Sequence, residues 1–254
     1  MLSSSSNIQI LSNAILKAAK NLRRDFGELE KLQNSRSNVI NFVDNAYQNT
    51  QDLIFSELKN ARPDWNFFFK KNKKSKLELS NKKEEKFCLI KPISGINNFS
   101  KGFSYFATSA TYYNKFEPEA SVVYDPIKDE LYFAEKGRGA FVNNSRIRFS
   151  STKNLSEALF AFDDNEIFIK FTKTNFFNNI KSEFRIFGCR CLDLANLSSG
   201  KIDCYVSEED FDKTPDPGTL FIKESGGIIY KKKIKNNIFF YSNNYIADIL
   251  DYKL

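Results

Sequence analysis

The chain has 254 residues, of which 41% are apolar, enough to build a sizeable core and too many for a disordered tail. Lysine and arginine number 38 against 31 acidic residues, a formal charge of +7, and histidine is absent. The missing imidazole excludes Ser-His-Asp and Cys-His nucleophilic pairs, histidine-bearing zinc sites and histidine general-base catalysis, which leaves carboxylates, lysines, hydroxyls, thiols or a metal held by oxygens.

Residues 1–24 carry no acid and open Met-Leu-Ser-Ser-Ser-Ser, a composition shared with organelle transit peptides. Ile8, Leu11, Ile15, Ala18, Ala19 and Leu22 nevertheless recur at three- and four-residue steps. That is the apolar stripe of a packed first helix, with Ser3 to Ser6 as candidate N-caps. A second helix is predicted over Ala46–Leu58, stopped by Pro63, and a strand over Asn66–Phe69. A Lys/Glu/Asn/Ser-rich loop from Lys70 to Lys86 precedes a short apolar strand, Phe87–Ile90. From Tyr105 the pattern is a meander, Tyr105–Tyr112, Ala120–Tyr124, Glu130–Ala134 and Ala140–Val142, with turns at Asn114-Lys115, Asp125-Pro126 and between Gly137 and Gly139. Beyond Phe149, strands (Ala158–Phe162, Glu183–Phe187) alternate with helical stretches (Ile167–Asn179, Leu192–Ser199), and a last helix covers Asn244–Leu250. The reading is an N-terminal α+β half, 1–150, and a C-terminal α/β half, 151–254, packed as one unit.

Cys88, Cys189, Cys191 and Cys204 form no C-x-x-C pair and read as buried free thiols of a cytoplasmic protein. No apolar run reaches the length of a membrane span. Asp125 reads as a turn former, Asp193 as a residue that caps or orients the following helix, Trp65 as a core or interface anchor, and Lys231–Lys233 as a solvated turn.

Three stretches carry a resemblance. Lys91-Pro-Ile-Ser-Gly-Ile-Asn-Asn-Phe99, followed by Gly102-Phe103, is similar to the motif D-P-x-D-G-T-T-N-F. Val122-Val-Tyr-Asp-Pro-Ile-Lys-Asp-Glu-Leu-Tyr-Phe-Ala134, then Gly137-Arg-Gly-Ala140 and Asn143, is similar to V-V-Y-D-P-x-x-x-E-L-F-x-A, G-x-G-A and N-G. Gly188-Cys-Arg-Cys-Leu-Asp-Leu-Ala195, Gly200-Lys-Ile-Asp203 and Lys223-Glu-Ser-Gly-Gly227 resemble G-S-A-A-L-D-L-A, G-x-x-D and R-E-A-G-G. These are motifs of the inositol monophosphatase family, in particular its SuhB branch. The resemblance implies a layered α/β/α/β/α sandwich of the inositol monophosphatase and sugar phosphatase type, and usually a homodimer. In active members it implies a phosphomonoesterase whose carboxylates gather Mg²⁺, which polarises the phosphate and generates hydroxide from bound water. For the SuhB branch it also implies a place in RNA polymerase and Nus-factor complexes.

The chemistry-bearing positions depart from the family pattern. The paired glutamates after the first strand fall on Lys70 and Lys71, and the two aspartates of D-P-x-D-G-T on Lys91 and Ser94. The water-activating threonine falls on Ile96, an upstream aspartate on Tyr47, the aspartate of W-D-x-A-A-G on Thr214 and a substrate-binding glutamate on Ser207. Lysine offers donors and no acceptor, so as a cation it cannot ligate a metal. No Mg²⁺ or other cofactor and no catalytic residue is therefore expected. A vestigial phosphate pocket is expected around Lys70, Lys91, Ser94, Gly95, Ile96, Gly188, Arg190 and Ser207, with Arg190 either binding an anion or plugging the space. Restoring acids at Lys70, Lys71, Lys91, Ser94, Thr214 and Tyr47 would take the charge from +7 to −2, so the basic excess localises to this one region.

Three functions stay open at this point. The first is a pseudoenzyme acting by binding, with RNA polymerase or a Nus factor as partner. The second is a phosphate-ligand or RNA binder through the lysines. The third is a phosphatase with a metal site rewired through Asp210, Asp212, Asp216 and the Glu84/Glu85 loop.

Overall fold

The computed structural model describes residues 5–32, 36–70, 86–173, 181–210, 215–233 and 237–253. Lys71, Glu84, Glu85, Asp212, Thr214 and the end of the predicted helix at 174–179 lie outside them.

Helices α1 (Ser6–Leu32) and α2 (Arg36–Ala61) form the first layer. The α1 stripe is buried as the periodicity predicts and runs on through Phe26 and Leu29. The second helix starts at Arg36, well before Ala46, because Val39, Phe42 and Val43 also join the core with Leu22 and Phe26. Their polar neighbours (Asn38, Asn41, Asp44, Asn45) mask the helical period in the sequence.

The second layer is a seven-stranded sheet in sequence order. Its strands are β1 (Asn66–Phe69), β2 (Lys86–Ser94), β3 (Ala107–Asn114), β4 (Glu117–Asp125), β5 (Glu130–Glu135), β6 (Gly139–Val142) and β7 (Ser145–Ile147). β1 runs parallel to β2, and the remaining neighbours are antiparallel. Cys88, Ile90, Ala110, Tyr112 and Val122 meet α1 and α2 on one face. Trp65 is the anchor there, stacked on Tyr112 with ring centroids 4.2 Å apart. A short helix, α3 (Ile96–Ser100), links β2 to β3.

The middle layer is α5 (Arg190–Ser198) with α6 (Gly218–Ser225). Leu192, Ala195, Leu220 and Phe221 pack on the first sheet, and Leu194, Leu197 and Ile222 pack on the second. That second sheet has the order β11-β12-β10-β8-β9, with β8 (Leu159–Phe162), β9 (Glu183–Arg185), β10 (Cys204–Ser207), β11 (Ile228–Lys233) and β12 (Asn237–Ser242). Its outer face carries Phe160, Phe162, Val206 and Phe240 against α4 (Asn165–Thr172) and α7 (Asn244–Lys253). Five layers result, the α/β/α/β/α sandwich expected from the resemblance.

Several elements differ from the sequence reading. Lys231–Lys233 is not a turn: it ends β11, paired with Asn237–Phe239 of β12, and the Lys231 ammonium lies 5.5 Å from the Phe239 ring centroid. Asp193 lies inside the first turn of α5 and accepts from the Tyr105 hydroxyl at 2.8 Å, so it ties α5 to the segment before β3 without capping the helix. Asp125 is the turn former expected, its Oδ1 accepting from the backbone N–H of Ile127 and Lys128. The four cysteines are buried and unpaired. Among the described residues no helix is long and apolar enough to cross a membrane.

Candidate functional site

Three strand ends converge on one cavity of about 560 Å³. β1 and its parallel neighbour β2 deliver Lys70 and Lys91, Ile93 and Ser94, and β8 delivers Asp163, while β10, parallel to β8, leads to Glu209 behind Arg190. Carboxyl ends of parallel strands are the usual place for a site in α/β architecture, since backbone and helix termini there face open space. Lys70 is pinned at its backbone, where its N–H donates to the Ile90 carbonyl at 3.0 Å.

The floor is made by the turn out of β2. The register slips between Lys91 and Ser94, and Gly95 then takes φ +80° to start α3. A Cβ at Gly95 would lie 2.9 Å from the Tyr105 carbonyl oxygen and 3.0 Å from Cys189 Cβ, so glycine is required both by the dihedral and by the close approach. Gly188, at φ +77°, turns the chain into α5 and sets Arg190 at the head of that helix.

The charged side chains are buried and largely paired with one another. Lys91 Nζ sits 2.8 Å from Asp216 Oδ2, with the two side chains 8% and 0% exposed. Asp216 Oδ1 also accepts from the Gly218 N–H at 3.0 Å, at the start of α6. Arg190 makes a two-pronged contact with Asp163: Nε donates to Oδ1 at 2.9 Å and Nη2 to Oδ2. Its Nη1 reaches Glu209 Oε2 at 2.6 Å and lies 3.6 Å from Asp216 Oδ2. Asp163 further accepts from the hydroxyls of Tyr205 at 2.6 Å and Ser207 at 3.3 Å. Asp164 lines the cavity and caps α4, accepting from the Ile167 N–H at 3.0 Å.

The titration behaviour follows from these contacts. Burial works against the Asp216 charge, but Lys91 and Arg190 outweigh it and hold the carboxyl below the usual carboxylate range. Burial likewise opposes the Lys91 charge, and Asp216 outweighs it, so Lys91 stays protonated beyond an ordinary lysine. Arg190 behaves in the same way through Asp163. Lys70 goes in the other direction: burial first, then the positive charge of Lys91, pull its pKa down. Among the described residues no carboxylate oxygen comes within 4.0 Å of the Lys70 ammonium.

Seven of the pocket residues expected from the sequence line this cavity: Lys70, Lys91, Ser94, Gly95, Ile96, Gly188 and Arg190. Ser207 does not line it but lies behind it, holding Asp163 and accepting from the Glu209 N–H at 3.0 Å. Tyr47 is a core residue, packed with Leu22, Phe26, Ile93 and Phe99, and burial pushes its phenol up to about 12. Arg190 neither awaits an anion nor acts as an inert plug, because protein carboxylates occupy its guanidinium. The sequence reading missed Asp163, Asp164 and Glu209. Asp163-Asp164 directly follows the predicted strand Ala158–Phe162, which was the available signal. Glu209 follows β10, a strand too short to stand out. With them, Asp163 and Asp164 line the cavity and Asp216 and Glu209 pair with Lys91 and Arg190 behind it, so the region is not the uncompensated basic pocket that the lysines alone suggest.

A sequence model described as the inositol monophosphatase family matches residues 4–247. An inositol-1-monophosphatase of Rhizobium meliloti is 30% identical over 229 residues, covering 87% of this chain and 83% of its own length. A Nus factor SuhB of Vibrio cholerae is 29% identical, covering 87% and 84%. The crystal structure of the extragenic suppressor protein SuhB from Bartonella henselae superposes with a TM-score of 0.79 at 27% identity, covering 98% of this chain and 99% of that one.

Proposed function

The chain belongs to the inositol monophosphatase family, and from that premise we propose that it is a member without phosphatase activity that acts by binding. The observation that carries this reading is the buried Lys91–Asp216 ion pair at 2.8 Å. Magnesium takes hard oxygen ligands in a near-octahedral array. Here an ammonium occupies the position that the resemblance assigns to a ligand aspartate, and the nearest carboxylate is already satisfied by that ammonium. Asp163 and Glu209 are held by Arg190 in the same way. A divalent cation about 4 Å from Lys91 would be repelled by several kcal/mol at an intermediate dielectric. The donor set therefore does not fit magnesium, and no hydrolytic step is derived through it. The rewired metal site fares no better, because Asp216 is committed to Lys91.

Relatives that carry the name Nus factor SuhB support a Nus-factor complex as the class of partner. RNA polymerase within that complex, a cytoplasmic location and a homodimer are proposed from the family resemblance alone. An anionic ligand in the cavity is disfavoured by Asp163 and Asp164 on its wall and by the pairing of Lys91 and Arg190 with carboxylates. The deciding measurement is phosphate release from a panel of inositol and sugar phosphates with Mg²⁺. No turnover is expected, and turnover abolished by a chelator would overturn the reading. A pull-down with the full chain tests the partner separately: recovery of RNA polymerase subunits supports it, and their absence removes it.

A further inference from the structure

We propose that Lys70 is a reactive amine that captures a small uncharged carbonyl compound, an aldehyde or ketone, as an imine inside the cavity. The juxtaposition that carries this is one ammonium, unpaired among the described residues, beside two paired cations. Lys91 is held by Asp216, and Arg190 by Asp163 and Glu209, whereas Lys70 has no carboxylate within 4.0 Å among the described residues. Its residue is only 5% exposed, yet it lines a cavity large enough for a small organic molecule. A lysine that is desolvated and set beside another fixed cation loses its proton more readily than a surface lysine, which is the general route to nucleophilic lysines. The direction found for Lys70, downward through burial and Lys91, agrees with that geometry.

The ligand class follows from the surroundings. A phosphorylated or carboxylated compound would meet Asp163 and Asp164 on the cavity wall, beside cations already paired with Asp216 and Glu209, whereas a neutral carbonyl compound carries no charge to be repelled. Ile93, Ile96 and Ile186 supply apolar wall beside the polar groups. The step balances without a co-reactant. Lys70 gives its ammonium proton to solvent and its nitrogen lone pair attacks the carbonyl carbon. The C–N bond forms as the carbonyl π pair moves to oxygen, which takes a proton. Loss of the second N–H proton and of that hydroxyl releases water and leaves the C=N bond. The Lys91 ammonium and the Arg190 guanidinium, fixed by their own carboxylates, line the same cavity as Lys70 and would favour negative charge gathering on that oxygen.

The inference rests on the metal-free reading of the site, so the test separates the two. The purified full chain is incubated with glyceraldehyde and cyanoborohydride, and adduct formation is followed lysine by lysine by peptide mass mapping. Lys70 should be labelled faster at neutral pH than exposed lysines such as Lys59 and Lys101, since a lowered amine pKa raises its free-base fraction. Its rate should rise with pH to a plateau below the range where the exposed lysines do. Lys70→Arg should remove that adduct and leave the others. Labelling of Lys70 at or below the rate of the exposed lysines overturns the proposal. Slowing of Lys70 labelling by millimolar MgCl₂, together with chelator-sensitive phosphate release, would instead overturn the metal-free reading on which it stands.

Discussion

At the scale of single residues the Lys91–Asp216 pair dominates the energetics, because both side chains are nearly or wholly out of water. Taking either partner away leaves an uncompensated buried charge, whereas replacing both with apolar groups removes the desolvation cost together with the attraction. Lys91→Met and Asp216→Leu should each destabilise by about 3–5 kcal/mol, and the double variant should return to within about 1 kcal/mol of the parent, read from urea unfolding as a double-mutant cycle. The pair also fixes the pH response. Asp216 has a folded pKa below its unfolded value, so its contribution is present above the unfolded value and lost as pH falls through the folded one. Lys91 has a folded pKa above its unfolded value, so its contribution is present below the unfolded value and lost as pH rises through the folded one. Stability of the parent should therefore fall away at both ends relative to the double variant, measured by urea titrations across pH at constant salt. Lys70 carries the opposite sign to Lys91: its folded pKa is lowered, so its protonated form costs stability that is regained as pH rises from the folded to the unfolded value. Lys70→Met should raise stability at neutral pH by about 1–3 kcal/mol, visible as a higher Tm.

At the scale of elements, the sequence was most legible where pattern and burial agree. The α1 stripe and the strand meander follow from period alone, since each buries one face against a neighbouring layer. What stayed hidden are short or two-sided elements. β10 has four residues, all buried, and shows no alternation to detect, and β11 carries a lysine run that reads as solvent-facing until its pairing with β12 is seen. α3 is only five residues long, but its start is set by Gly95 and that turn places Lys91, Ser94 and Ile96 around the cavity. Gly95→Ala should cost about 2–4 kcal/mol, the sum of a left-handed dihedral for alanine and overpacking against Tyr105 and Cys189. It should also alter the environment of Lys70. Urea unfolding gives the first effect, and a changed Lys70 labelling rate in the folded variant reports the second.

At the scale of the whole molecule, the lysines at ligand positions were legible because the motif around them fixes their register, with Pro92, Gly95, Asn98 and Phe99 unchanged from the pattern. Their neutralisation was not, because Lys91 and Asp216 are 125 residues apart and belong to different sheets' surroundings. Only the shared middle layer brings them together. α5 and α6 each pack on both sheets, and Gly218 permits this: a Cβ there would fall 2.1 Å from Leu194 Cδ1, so the Leu194 side chain of α5 packs directly on the α6 backbone. Neither sheet can lose that layer without exposing its own inner face, which predicts that the two halves unfold together. Trp65, the single tryptophan, reports on the first sheet through its stacking on Tyr112. Cys204, fully buried on β10, reports on the second. In a urea titration the Trp65 fluorescence change and the reactivity of the Cys204 thiol, followed by peptide mass mapping, should share one midpoint. Two separated midpoints would mean that the buried charge network between the sheets does not couple them, and Lys91→Met would then shift only one of the two transitions.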